Sequence, residues 1–221
     1  MSRFEPTFKA ELWRFLLLRT IHDLGNSVSG ILTLSAHHVR HELPIEEITE
    51  SFKLIQESAE SAREMLITVG SLVDDESQGP EPVRVSDFLK DLLRQLSRIV
   101  PRSVSLQLDG ELSDAIIEID SCHLRQAYVA LVAASCLAFG AKPGSIQFAA
   151  EAEAGKIWMV YSASHRADSD LVRQAAEIFG NVNPPPDELA WSETDQELRL
   201  RIGYSPAAGF TIEPTSSTRA S

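Results

Sequence analysis

Leu17-Leu18-Arg19-Thr20-Ile21-His22-Asp23-Leu24-Gly25-Asn26-Ser27-Val28-Ser29-Gly30-Ile31 is the stretch on which the fold turns. Leu17, Ile21, Leu24, Val28 and Ile31 recur at alternating spacings of four and three, which makes one apolar seam on a helix. From about Phe8 to His41 the chain has no proline, and Gly25 and Gly30 are the only local helix weakeners. The spacing therefore predicts one long helix. His22 sits one residue off the seam, on its flank, together with Gly25, Asn26 and Ser29. These neighbours are small or polar, so a docking partner can reach the histidine there.

Leu43-Pro44 interrupts the pattern. A second helix is predicted from near Pro44, which suits a first-turn position, with Glu46 and Glu47 favourable at the N-terminal dipole. Its seam reads Ile48, Phe52, Ile55, Ala59, Ala62, Leu66, Val69, Val73, and a second stripe reads Leu54, Ser58, Ser61, Met65, Thr68, Leu72. Two stripes call for two neighbours, and a hairpin supplies one. A symmetric dimer of antiparallel hairpins, closing a four-helix bundle, answers that demand. The alternative is a monomeric hairpin packed on its own second domain. The acidic, breaker-rich run Asp74-Asp75-Glu76-Ser77-Gln78-Gly79-Pro80-Glu81-Pro82 marks the boundary. It separates a helical domain, 1–78, from a second domain, 79–221.

The second half predicts an α/β sandwich. Val85-Ser86-Asp87 offers a cap for a helix from about Phe88 to Ile99. Val104–Leu108 and Ala115–Ile119 read as strands. Asp120-Ser121 caps an apolar helix from about Cys122 to Phe139, with Gly140 at its end. Ser145–Glu151 and Lys156–Tyr161 form a hairpin around Gly155. A helix from about Asp170 to Phe179, a rigid loop at Asn183-Pro184-Pro185-Pro186, a helix around Glu188 to Tyr204 and a closing strand at Gly209 to Glu213 complete the order. The expected result is a mixed sheet with helices on one face.

The 221 residues carry a formal charge of −12. That balance argues against a nonspecific nucleic-acid or anionic-membrane binder, because both need basic surface. No stretch approaches the roughly 20 apolar residues of a membrane span, and the N-terminus lacks a signal-peptide core. Cys122 and Cys136 are too few for a disulfide framework. The expected compartment is the cytoplasm, with no membrane or nucleic acid among the partners.

His22, Asp23 and Asn26 are the candidate catalytic residues. A histidine with a carboxylate at +1 and an amide at +4 is a compact phosphoryl-acceptor constellation. A neutral ring nitrogen is the nucleophile, Asp23 holds the other nitrogen and stabilises the charge that develops, and Asn26 hydrogen-bonds the phosphoryl group or a water. The plain alternative is an ordinary surface histidine. His37 and His41 share a face at metal-ligand spacing, but no further ligand with suitable spacing accompanies them. A solvated helix end favouring cations explains them better. His123 and His165 read as surface or core-edge residues, and Trp13, Trp158 and Trp191 as packing residues.

The whole arrangement resembles the catalytic core of a sensor histidine kinase, in which a dimerising, histidine-carrying hairpin precedes an ATP-binding sandwich. His22-Asp23-x-x-Asn26 follows that family's acceptor pattern, with Ser27 where a proline often stands. Asp120-x-x-x-Leu124-x-Gln126-Ala127 resembles the approach to the kinase asparagine box, yet Ala130 and Ala134 occupy the two asparagine positions. Neither side chain can ligate Mg²⁺. Ser162-Ala163-Ser164-His165-Arg166 replaces the adenine-binding Asp-x-Gly-x-Gly, and no Gly-rich phosphate loop lies between Asn183 and Leu198. The chain is thus more similar to histidine phosphotransferases of the ChpT type, built on a degenerate kinase core. That resemblance implies an α+β fold, a homodimer, and phosphoryl relay between response-regulator receiver domains through His22. No cofactor is expected on this chain, the Mg²⁺ being the receiver's. A catalytically inactive scaffold that binds receivers is the alternative function, and an active kinase with a divergent nucleotide site is a third.

Overall fold

The computed structural model describes residues 6–40, 44–73, 79–110, 114–164, 169–194 and 197–209. It has two compact units, Met1–Asp74 and Asp75–Ser221. The fold class is α+β.

The first unit is a helical hairpin of α1 (Pro6–Arg40) and α2 (Ile45–Val73). The Pro44 carbonyl accepts the Ile48 amide at 3.1 Å, so Pro44 stands just before the helix. The side-chain sorting departs from the predicted seams. On α1 the more buried positions are Thr20, Leu24, Ser27, Ile31, Leu34 and His38, while Leu17, Ile21 and Val28 are exposed. On α2 they include Ile48, Ser51, Ile55, Ser58, Ala62, Met65, Thr68 and Val69, while Phe52, Ala59 and Leu66 are exposed. Each predicted seam is therefore split between two faces. The reason is width. The apolar arc of each helix spans more rotation than one neighbour covers at 3.6 residues per turn. The hairpin takes the edge rich in serine and threonine, where backbones can approach closely. The bulkier edge stays outside: Ile21, Val28, Leu32 and Val39 on α1, and Ile45, Phe52 and Leu66, spaced by seven and fourteen residues, on α2. Both stripes are rotated in the same sense from the seam by residue number. In an antiparallel pair that brings them out on one side of the hairpin.

The second unit pairs β1 (Glu81–Arg84) antiparallel with β3 (Ile116–Ile119). A separate five-stranded sheet has the order β2-β4-β5-β7-β6. Its strands are β2 (Val104–Leu108), β4 (Gly144–Glu153), β5 (Lys156–Ser164), β6 (Glu188–Glu193) and β7 (Glu197–Tyr204). Among the described residues only the β2–β4 pairing is parallel, so the sheet is mixed. The helices are α3 (Val85–Ile99), α4 (Ser121–Phe139) and α5 (Ser169–Ala176), the last followed by a short 3₁₀ turn over Glu177–Asn181. Asp120 caps α4 by accepting the Cys122 and His123 amides at 3.0 and 3.1 Å. The β4–β5 turn is Ala154-Gly155 with φ of 52° and 77°, the positive pair that a two-residue hairpin of type I′ requires.

Three expectations need correction. The segment Glu188–Tyr204 is a β-hairpin, not a helix. Its period is two: Leu198, Leu200, Ile202 and Tyr204 are buried, and Arg199 and Arg201 alternate with them. β1 occupies part of the predicted linker, and it tolerates Pro82 because, among the described residues, it pairs on one side only. α4 is long and apolar enough to pass for a membrane span, against the expectation of none, yet most of it is buried inside this unit. Of the closing strand expected at Gly209–Glu213, residues 210–213 lie outside the described residues, and Gly209 is in a turn.

The far side of the sheet is roofed by charge. Trp158 is buried beneath the Arg201 guanidinium, 4.4 Å from the ring centroid, with Lys156 at 5.7 Å. Arg199 donates to Glu151 at 2.7 Å, and Arg201 bonds Glu153. These long side chains cover apolar surface with their stems while their charged heads stay wet.

Candidate functional site

His22 lies midway along α1, where the helix turns its polar side outward. Its side chain is 69% exposed and that of Asp23 23%. Ile21 beside it is also exposed, as are Leu17 and Leu18 one turn earlier. Gly25, Asn26 and Ser29 share the flank and are exposed too.

The three predicted site residues come together. Asp23 Oδ1 is 3.0 Å from His22 Nδ1, and Asn26 Nδ2 is 3.3 Å from the same Nδ1. Ser27 Oγ donates to the Asp23 carbonyl at 3.2 Å, a back-bond that tends to bend a helix slightly. Both contacts to the ring fall on Nδ1, so Nε2 is the nitrogen its own helix leaves for a reaction. Asn26 thus reaches the ring itself, a contact that the +4 spacing did not specify.

The remaining histidines are placed differently. His38 stacks on Phe52, ring centroids 5.7 Å apart and 7° from parallel, and is half-buried. His37 is exposed, and His41 lies outside the described residues. Among the described residues no group of three or more His, Cys, Asp or Glu side chains could hold a metal ion. His123 Nδ1 lies 3.2 Å from Asp120 Oδ2, and His165 is outside the described residues. Trp158 packs as expected. Trp191 is half-buried, with Arg173 6.0 Å from its ring, while the side chain of Trp13 is outside the described residues.

In the second unit Asp120 is buried and committed to capping α4. Ala130 is half-buried and Ala134 fully buried. Ser162, Ala163 and Ser164 continue β5. Aromatic rings fill the space between α4 and the sheet. Tyr128 meets Phe179 at 5.1 Å, Phe148 at 5.8 Å and Phe88 at 6.1 Å between centroids, mostly edge to face. Tyr161 shares a 2.6 Å hydrogen bond with Ser135. Burial pushes the Tyr161 hydroxyl well above the ordinary tyrosine range, with Ser135 opposing.

No protein-family model matches the sequence, and no curated protein matches it. Solved structures similar to it include a bacterial phosphotransferase, 10% identical, covering 91% of this chain and 97% of that one at a TM-score of 0.49. A histidine kinase from Burkholderia phymatum is 15% identical, covering 85% of this chain and 97% of that one at 0.46. The histidine kinase ThkA, solved in complex with the response regulator TrrA, is 12% identical, covering 92% of this chain and 68% of that one at 0.46.

Proposed function

We propose that this protein is a histidine phosphotransferase, of the ChpT type, that relays a phosphoryl group between response-regulator receiver domains through His22. The observation that carries the reading is the exposed imidazole whose Nδ1 faces a carboxylate at 3.0 Å on its own helix. That contact favours the tautomer with the proton on Nδ1 and the lone pair on Nε2. Nε2 attacks the phosphorus of a receiver's aspartyl phosphate. The N–P bond forms, the P–O bond to the receiver carboxylate breaks, and that carboxylate leaves with the electron pair. The ring keeps its Nδ1 proton and becomes cationic, and Asp23 offsets the charge. Such transfer needs alignment and charge neutralisation more than covalent chemistry from the protein. The Mg²⁺ belongs to the receiver.

The reading extends to a cytoplasmic homodimer that does not use ATP. Each large apolar side chain left in water forgoes about 1.5–3 kcal/mol, and a second hairpin laid on the Ile21, Val28, Phe52 and Leu66 face recovers it. Alanine at 130 and 134 and the aromatic filling beneath α4 are the reasons for excluding nucleotide.

The test is incubation with a phosphorylated receiver domain, followed by assay for acid-labile phosphate on this chain. Label on His22, absent in His22→Ala, is the expected outcome. A His22→Ala protein that still relays phosphoryl between two receivers would overturn the proposal. Receiver binding without any labelling would leave a scaffold instead.

A further inference from the structure

The two neighbours of His22 make opposite demands on one atom. Asp23 Oδ1 and Asn26 Nδ2 lie 3.0 and 3.3 Å from the same Nδ1. An ionised carboxylate only accepts, so the Asp23 contact requires a proton on Nδ1. An amide nitrogen only donates, so the Asn26 contact requires a lone pair there. A neutral imidazole carries one ring proton, so the two contacts belong to opposite tautomers. With the proton on Nδ1, Nε2 is a nucleophile. With the lone pair on Nδ1, Nε2 carries the proton and cannot attack.

We infer that Asn26 is a positioning residue that draws resting His22 toward its unreactive tautomer, in competition with Asp23, which selects the reactive one. The inference rests on His22 being the phosphoryl acceptor. Both partners sit within one turn of the same helix, so exchange between the states needs only relocation of the ring proton and a small movement of the amide. Phosphorylation ends the competition. Once the N–P bond forms at Nε2, the proton stays on Nδ1, so the Asp23 contact persists and the Asn26 N–H contact is lost. Asn26 therefore stabilises the unphosphorylated form alone. It lowers the occupancy of phosphohistidine and favours delivery to the next receiver.

The test uses the full chain labelled with ¹⁵N-histidine. Long-range ¹H–¹⁵N spectra are recorded at alkaline pH, where imidazoles are neutral, and the His22 signals are assigned by their loss in His22→Ala. Asn26→Ala is expected to move the tautomer ratio about fivefold toward Nδ1–H, the worth of one neutral hydrogen bond. Asn26→Asp is expected to move it further the same way. An unchanged ratio, or a shift toward Nε2–H, overturns the inference, the latter because the amide oxygen would then be the atom facing the ring. No receiver is present in this measurement. A protein that shows the tautomer shift yet takes up no phosphoryl group from any receiver would defeat the phosphotransfer reading and leave the tautomer assignment standing.

Discussion

At the scale of single residues, the proposed phosphotransfer rests on one ring and its two neighbours. Asp23→Asn keeps the shape of the side chain and removes the charge that stabilises the imidazolium. The initial rate of phosphohistidine formation is expected to fall about tenfold, the worth of a charge-assisted hydrogen bond at a partly exposed site, with the helical circular dichroism unchanged. An unchanged rate in a labelling time course would remove Asp23 from the mechanism. The tyrosines report on the other unit. The chain has three, and Tyr128, Tyr161 and Tyr204 are all buried. Burial raises each hydroxyl above its ordinary value, with Tyr204 adding to the effect on Tyr128 and Asp187 to that on Tyr204. The folded state then holds these protons more tightly than the unfolded chain does. Their contribution is fully present below about pH 10, the ordinary tyrosine value, and is lost as pH climbs above it. Tyrosinate absorbance should stay low past that point and then rise together with loss of ellipticity. Tyrosinate forming while ellipticity persists would show hydroxyls open to solvent.

At the scale of elements, the informative comparison is between the predicted and observed faces of α1 and α2. The four-and-three spacing was legible, and so were both helices. What spacing does not contain is which part of a wide apolar arc meets the partner helix. The hairpin chose Ser51 and Ser58 with Ile48 and Ile55, and left Phe52, 60% exposed, outside. If a second copy covers that outer face, Phe52→Glu with Leu66→Glu should convert dimer to monomer in light scattering while leaving the thermal transition of the α/β unit in place. A double variant that stays dimeric would move the interface elsewhere. The β6–β7 hairpin teaches a related lesson. Leu198, Leu200 and Ile202 alternate with Arg199, Arg201 and Gly203, a period of two that belongs to a strand and not to the helix expected there. The arginines decide the matter in three dimensions, because Glu151 and Glu153 on β4 lie within their reach across β5.

At the scale of the whole molecule, the second unit fills the space beneath α4 with aromatic packing. Isothermal calorimetry with ATP and Mg²⁺ is expected to give no binding heat, and Ala130→Asn with Ala134→Asn should not create any. Ala134 is fully buried, so an asparagine there would place an amide in the core and cost about 1–3 kcal/mol if it found no partner. That cost should appear as a lower melting temperature. Saturable ATP binding by the unaltered protein would overturn the reading and favour a divergent kinase.

The amino-acid sequence by itself determined the two helices, their break at Leu43-Pro44, the strands around Gly155, and the His22, Asp23 and Asn26 grouping. All of these are local: they follow from side-chain period, turn chemistry and neighbours within one helical turn. Only the tertiary structure decided which apolar stripe closes the hairpin, that Glu188–Tyr204 pairs as strands, and that both Asp23 and Asn26 converge on one ring nitrogen. Those outcomes depend on partners distant in the chain or on the rotamers of neighbouring side chains, and spacing along the sequence specifies neither.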